Sequence, residues 1–276
     1  QILNARIGYE IFKKDNLKFE GVSIDSKQVK KNNLFIAIKG KKHNGHSFVK
    51  EALKNKANFC VVEKYTKDIK KYKLIKDSDT IKFLSKLAVK KRKYSKAKII
   101  AVTGSSGKTT FKNLLGNLLA KYGKTYSSKK SYNNHFGVPL SLCNLENNHR
   151  YGVFEIGMSR SGEIRNLSNL VKPDIGVITN IGEAHIENFN NLNGVAKAKS
   201  EIIENIDNGG FLVLNKDDKY FNYFSKIAKK KKIKVFSFGL NKKSDAYLVK
   251  NKKYKNYNLL YLKILDHNIF LKIKNV

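Results

Sequence analysis

The chain has 276 residues, 41% of them hydrophobic and 11% aromatic, which indicates a folded protein and excludes a disordered one. Its net charge of +34 fits either a nucleic-acid-binding face or a general enrichment in lysine; only five of the 56 basic residues are Arg, and the lysines are spread along the chain, so we favour the enrichment. No stretch is apolar enough to span a membrane, and two isolated Cys predict neither a disulfide nor a zinc site, so we expect a cytoplasmic protein.

The first part of the chain predicts a small α/β unit. Residues 33–40 have the apolar pattern of a strand, 46–57 that of a helix and 58–63 that of a second strand. The lysine-rich stretch 64–76 is expected to be a linker, and a helix is predicted from about 80 to 94.

From residue 98 onward, apolar strands alternate with amphipathic helices, which is typical of a mostly parallel sheet covered on both faces. The strands are predicted at 98–102, 151–156, 174–179, 211–215 and 234–238. The helices are predicted near 109–122, 161–171, 194–206 and 219–230. The stretch from 246 onward is rich in strand signals. We therefore predict an α/β protein with a small domain at 1–76 and a larger one at 77–276.

The stretch "AVTGSSGKTTFKNLL" at 101–115 predicts a phosphate-binding loop. Gly107, Lys108 and Thr109 match the end of the pattern G-x-x-x-x-G-K-[ST], in which Lys contacts the outer phosphates and the hydroxyl binds Mg²⁺. Val102 stands where the pattern has its first Gly. A strand precedes the loop, and a helix follows it with Leu114, Leu115, Leu118 and Leu119. An ordinary strand–turn–helix corner is the alternative, but such a corner does not require Lys and then Thr after its glycine.

Two further polar residues follow predicted strands of this sheet. Glu155 ends the strand at 151–156, and His185 comes shortly after the strand at 174–179. Ligands of open α/β sheets collect beyond the carboxyl ends of the strands, so a carboxylate, an imidazole and the Thr109 hydroxyl could hold two Mg²⁺ ions there. A helix-capping Glu and a structural His are the alternatives.

Several blocks together resemble the Mur ligase family. They are "VTGSSGKTT", "SYNNHFGVPLSL" (131–142), "FEIGMSRSGEI" (154–164) and "VITNIGEAHIENFNNLNGVAKAKSEI" (177–202). The segments "IDSKQVKKNNLFIAIKG" and "NGHSF" are similar to the family's UDP-sugar-binding domain, with Lys27 where Arg is commoner. The family's loop also lacks the first glycine, so the resemblance accounts for Val102. It covers nearly the whole chain.

The resemblance implies a UDP-sugar-binding domain followed by a P-loop ATPase-like domain, with the family's third, Rossmann-like domain missing from these residues. It implies an ATP-dependent ligase, within the family most similar to the member that joins D-alanyl-D-alanine to UDP-N-acetylmuramoyl-tripeptide through an acyl phosphate, in peptidoglycan synthesis. The alternatives are a ligase adding meso-diaminopimelate or lysine, a folylpolyglutamate-synthase-like enzyme, and a basic nucleic-acid-binding NTPase. We expect a monomer without a specific nucleic-acid partner, in which the 276 residues alone bind nucleotide weakly and do not complete ligation.

The resemblance also implies a role for particular residues. Lys108, His185 and Lys199 would be catalytic, and Lys199, or else Lys197, would carry a carbamate. Thr109, Glu155, His185 and the carbamylated Lys199 would bind two Mg²⁺ ions, while Ser26 and Lys27 would contact the UDP-linked substrate. The residues implied for ATP are Thr103, Gly104, Ser105, Ser106, Gly107, Lys108, Thr109, Thr110, Asn133, Asn134, Asn215 and Asp218.

Overall fold

The computed structural model describes residues 18–40, 43–184 and 186–274, and they form two compact units. The first unit comprises the chain up to Ala97 together with Ser128–Arg150, and the second comprises Lys98–Ser127 and the chain from Tyr151 onward. The domain division expected after residue 76 stays a prediction. The compact units divide at Ala97, because the helix Thr80–Tyr94 packs against the helix Gly137–Cys143 within the first unit.

The described strands are β1 (Val22–Ser23), β2 (Leu34–Ile36), β3 (Phe59–Val62), β4 (Leu74–Lys76), β5 (Lys98–Thr103), β6 (Thr125–Ser127), β7 (Tyr151–Glu155), β8 (Ile175–Ile178), β9 (Phe211–Asn215), β10 (Lys234–Gly239), β11 (Ala246–Lys253), β12 (Tyr257–Ile264) and β13 (His267–Lys274). The described α-helices are α1 (Val49–Lys54), α2 (Thr80–Tyr94), α3 (Lys108–Leu119), α4 (Gly137–Cys143), α5 (Glu163–Val171), α6 (Leu192–Ser200) and α7 (Phe221–Lys230). None of these helices combines the length and apolar composition that a lipid bilayer requires.

The first unit contains a parallel sheet in the order β1-β2-β3-β4. The expectation of a linker over 64–76 is wrong, because β4 and a 3-10 turn at Lys71–Lys73 lie within it. Only Leu74 of this three-residue strand is buried, which is too little for a periodic signal. Helix α2 begins as predicted, since the Asp79 carboxylate accepts hydrogen bonds from the amides of Ile81 and Lys82 at 3.1 and 2.9 Å.

The second unit contains a sheet whose described strands run in the order β13-β12-β11-β10-β9-β8-β5-β7-β6. In this order, each neighbouring pair from β11 across to β6 is parallel. The pairs β11–β12 and β12–β13 are antiparallel. The predicted mostly parallel sheet is therefore confirmed. Helix α3 packs Phe111, Leu115 and Leu119 against the sheet core. Leu114 and Leu118, which the sequence grouped with them, are 66% and 51% exposed.

The chain order of these strands determines where polar side chains collect. After β5 the chain builds β6 and β7 on one side, and it then crosses through α5 to place β8 on the other side of β5. At such a reversal the loops that leave the carboxyl ends diverge to opposite faces and leave a crevice. The loop after β5, the end of β7 and the loop after β8 therefore lie together.

Candidate functional site

The loop between β5 and α3 is formed by residues 104–107. Gly107, with φ of 77°, directly precedes α3. The first amides of α3, like those of any α-helix, have no helical carbonyl to bond, and they lie at the positive end of the helix dipole. Val102 is fully buried within β5. The turn starts two residues later, at Gly104, which explains physically why this loop does not need a glycine at position 102.

The Lys108 side chain lies over the loop. Its ammonium group donates hydrogen bonds to the carbonyls of Gly104 at 2.7 Å and Ser105 at 3.2 Å. Burial lowers the pKa of Lys108, and the charge of Glu155 opposes that shift. The predicted phosphate lysine is thus half-buried and positioned at the mouth of the loop, where two carbonyls and the charge of Glu155 stabilise its ammonium group.

The segment after β8, residues 179–182, holds this loop in place; the sequence analysis included it in a family-like block but did not identify this role. The Thr179 hydroxyl donates to the Ser106 carbonyl at 2.6 Å, and the Asn180 side chain bonds both the amide and the hydroxyl of Ser106. A Cβ at Gly104 would lie 1.9 Å from Thr179 Oγ1. Only glycine at 104 allows this approach. The signal that could have revealed the segment is its position, directly after the strand beside β5.

Glu155 lies at the end of β7, opposite Val102 of β5. Its Oε2 accepts a hydrogen bond from the Thr109 hydroxyl at 2.7 Å and lies 3.9 Å from Nζ of Lys112. Glu155 and Lys112 are each 1% exposed. Burial lowers the pKa of Lys112, and the charge of Glu155 raises it. The structure therefore brings together two predicted residues, Thr109 and Glu155, and adds a buried lysine that the sequence analysis missed.

Lys199 lies near the end of α6 and is 2% exposed. Burial, with a smaller contribution from the charge of Lys108, lowers its pKa from 10.5 to about 7. Lys197, the alternative, is exposed. A buried amine that is neutral near pH 7 can react with CO₂, whereas an ordinary surface lysine is almost wholly protonated. His185 lies outside the described residues.

The donor atoms present fit a magnesium ion that is shared with phosphates. Thr109 and Glu155 supply hard oxygen ligands, and Thr103 Oγ1 at the end of β5 is buried without a hydrogen-bond partner among the described residues. Those residues contain no group of three His, Cys, Asp or Glu side chains placed to hold a metal. Mg²⁺ is usually bound by one or two protein oxygens together with substrate phosphates and water, so two protein oxygens suit it.

Asn215 and Asp218, two of the residues implied for ATP, have partners within the protein. Asn215 Oδ1 accepts from the amide of Asp217 at 3.0 Å, and the Asp218 carboxylate accepts from the amides of Ile181 and Tyr220, both at 2.8 Å. Asp218 therefore connects the end of β9 to the segment that holds the phosphate loop. Thr110 is exposed on the first turn of α3. Contact with a nucleotide stays a prediction for all three predicted residues.

The other predicted residues belong to the first unit. Ser26 is buried and its hydroxyl donates to Glu51 at 2.6 Å, while Lys27 is exposed. Asn134 Oδ1 accepts from the amide of Gly137 at 2.9 Å, at the start of α4, and Asn133 is half-buried beside it. Their roles toward the UDP-linked substrate and the phosphates stay predictions.

The fold and the loop define an α/β protein whose loop has the pattern of a phosphate-binding loop. Residues 102–274 match the model of the Mur ligase middle domain, and residues 18–92 match that of the Mur ligase family, catalytic domain. The chain belongs to the Mur ligase family, and the resemblance found in its sequence is confirmed.

Within the family, the chain is similar to proteins of one particular kind. The chain is 37% identical to the UDP-N-acetylmuramoyl-tripeptide–D-alanyl-D-alanine ligase of Buchnera aphidicola, over 91% of this chain and 52% of that protein. It is similar to the crystal structure of MurF from Acinetobacter baumannii, with a TM-score of 0.84 and 27% identity over 98% of this chain and 60% of that one. It is also similar to the Thermotoga maritima MurF ligase in complex with ADP, with a TM-score of 0.78 and 28% identity over 94% and 59%. The chain spans about half the length of the relatives it matches.

Proposed function

We propose that this chain supplies the UDP-substrate-binding and ATP-binding parts of a ligase that joins D-alanyl-D-alanine to UDP-N-acetylmuramoyl-tripeptide, acting as a cytoplasmic monomer. The observation that carries the proposal is the arrangement around the phosphate loop. The Thr109 hydroxyl bonds Glu155 there, and the charge of Lys108 contributes to the lowered pKa of the buried Lys199. The names of the relatives support the choice of substrates.

The reaction transfers the γ-phosphoryl group of ATP to the terminal carboxylate of the tripeptide. A carboxylate oxygen bonds to phosphorus, the bond to ADP breaks, and an acyl phosphate results. The amine of the dipeptide then bonds to the acyl carbon, phosphate leaves with the electrons of the C–O bond, and the nitrogen releases a proton. Negative charge on the transferring oxygens must be offset, and Lys108 can do so by exchanging its two loop carbonyls for phosphate oxygens.

The predicted metal ligands would hold two Mg²⁺ ions beside these phosphates. Thr109 and Glu155 would bind one Mg²⁺, and His185 with a carbamate on Lys199 would bind the second. Magnesium, when bound, neutralises phosphate charge. The Lys199 nitrogen forms the carbamate by bonding to the carbon of CO₂ and releasing a proton to solvent, which converts a buried amine into a carboxylate-like ligand.

The remaining assignments follow the family pattern. We propose that Ser26 and Lys27 contact the UDP-linked substrate and that residues 1–76 form its binding domain, with residues 77–276 forming the ATP-binding domain. Gly104, Ser105 and Gly107 would surround the phosphates through their backbone, Asn133 and Asn134 would lie near the acyl phosphate, and Asn215 with Asp218 would contact adenosine. Thr103 and Thr110 would border the same nucleotide.

The test is a substrate comparison on a protein that carries this chain. UDP-muramoyl-tripeptide with D-alanyl-D-alanine, UDP-muramoyl-dipeptide with meso-diaminopimelate or lysine, and a folate with glutamate are each supplied with MgATP. We expect phosphate release and a UDP-muramoyl-pentapeptide mass only with the first pair. Product from another pair would refute the substrate assignment. Tight binding to any oligonucleotide, falling steeply with salt, would instead favour a nucleic-acid-binding NTPase.

A further inference from the structure

Every backbone polar group of Ser106 in the phosphate loop is bonded by the segment after β8. Its amide donates to Asn180 Oδ1 at 3.0 Å, and its carbonyl accepts from the Thr179 hydroxyl at 2.6 Å. Its hydroxyl oxygen accepts from Asn180 Nδ2 at 2.8 Å. Two side chains therefore fix the position and the orientation of one loop residue.

The orientation of the Asn180 amide follows from its partners. A backbone amide can only donate, so the Asn180 atom facing the Ser106 N–H must be the oxygen. The nitrogen of the same side chain then faces Ser106 Oγ and donates to it. Because a hydroxyl has one hydrogen, and that hydrogen cannot point along an incoming N–H, the Ser106 O–H must point away from Asn180. Within the described residues nothing accepts it.

Ser105 shows the contrasting arrangement. Its hydroxyl donates to the Gly182 carbonyl at 2.9 Å and accepts from the Gly182 amide at 2.8 Å, so its hydrogen is already used inside the protein. Of the two adjacent serines, only Ser106 offers a hydrogen to a ligand. It lies at an exposed position of a loop that precedes the free amides of α3.

We propose that Asn180 is a positioning residue that turns the Ser106 hydroxyl into a donor aimed at the bound phosphates. This inference rests on the proposed function. A phosphate oxygen at neutral pH accepts hydrogen bonds and does not donate, so a loop that presents only hydrogens recognises phosphate and disfavours ligands that must donate. The Ser106 hydroxyl contacts the ligand, and Asn180 acts through it.

The test is a double-mutant cycle on MgATP affinity, measured by titration calorimetry. In Asn180→Asp both side-chain oxygens accept, so the Ser106 O–H turns toward the aspartate and away from the ligand. Ser106→Ala in the wild-type background should weaken binding about ten- to hundredfold, the value of one hydrogen bond to a charged group. In the Asn180→Asp background the same Ser106→Ala change should cost less than about twofold.

Controls separate this effect from added charge and from misfolding. Asn251→Asp places the same charge at an exposed position on β11, four strands from β5, and should change affinity by less than about twofold, since ~19 Å exceeds the screening length. Thermal unfolding without nucleotide checks each fold. If Asn180→Asp does not fold, Ser106→Thr, which keeps the hydroxyl, is compared with Ser106→Ala.

The outcomes are distinct. Wild-type protein that does not bind MgATP contradicts the ATP part of the proposed function and overturns this inference with it. Wild-type protein that binds, with losses that simply multiply across the cycle, overturns the role of Asn180 alone. Equal affinity of Ser106→Ala and Ser106→Thr overturns the hydroxyl contact. The inference is supported if Ser106→Ala weakens MgATP binding when residue 180 is the wild-type Asn and does not when it is Asp.

Discussion

Lys199 offers a measurable link between the candidate site and stability. Burial, together with the charge of Lys108, lowers its pKa from 10.5 to about 7. The difference of 3.5 units corresponds to about 5 kcal/mol, at 1.36 kcal/mol per unit, by which folding disfavours the charged form. Replacing Lys199 by Met keeps most of the side-chain volume and removes this cost.

The direction of the pH dependence follows from the order of the two pKa values. The folded pKa lies below the unfolded one, so the unfolded state binds more protons between about pH 7 and 10.5, and stability rises with pH in that window. The cost of Lys199 falls from about 4 kcal/mol at pH 7 to about 2 kcal/mol at pH 9. Relative to Lys199→Met, the wild-type protein should therefore gain about 2 kcal/mol in unfolding free energy over this range.

Urea denaturation in CO₂-free buffer from pH 7 to 9 measures this difference. Lys197→Met is the matched control, because Lys197 is exposed on the same helix, and it should keep the wild-type pH dependence. With ¹³C-bicarbonate added, wild type and Lys197→Met should show a carbamate carbon resonance that Lys199→Met lacks. Parallel stability profiles for wild type and Lys199→Met would refute the lowered pKa, and a resonance that survives in Lys199→Met would refute the site of modification.

Three further predictions concern the loop and the buried charges. Lys108→Ala should abolish measurable MgATP binding in calorimetry while leaving the unfolding midpoint near that of wild type; unchanged affinity would contradict the phosphate-loop assignment. Gly104→Ala would place a methyl 1.9 Å from a threonine hydroxyl and should cost about 1–3 kcal/mol in urea denaturation, whereas Gly182→Ala, with its nearest neighbour at 3.6 Å, should cost far less. Lys112→Met removes the lysine that lies 3.9 Å from the buried Glu155 carboxylate and should cost about 3–5 kcal/mol by the same measurement; wild-type stability would show that the pair is not coupled.

The sequence predicted the elements that repeat a strong pattern and missed the short edge strands. The strands β9 and β10 and the helix α2 lie within a residue of their expected bounds, because buried strands and capped amphipathic helices leave a clear signal over five or more residues. The edge strands β4 and β6 have three residues each and bury little, so pairing with a neighbouring strand defines them and periodicity does not.

At the candidate site, the sequence revealed the residues whose chemical type is needed for phosphate binding. Only the structure revealed the residues whose burial gives them unusual properties. The loop glycines, Lys108 and Glu155 were predictable because phosphate binding requires those residues at the ends of strands. Lys112 was not, because one lysine in a chain with 56 basic residues resembles a solvated one. Among the described residues, the buried lysines are Lys91, Lys112 and Lys199, and the last two belong to the candidate site. In a chain this rich in lysine, burial therefore identifies Lys112 and Lys199, whereas the half-buried Lys108 is identified by its place in the loop. Burial lowers the pKa of both buried lysines, and at Lys112 the charge of Glu155, 3.9 Å away, opposes that shift.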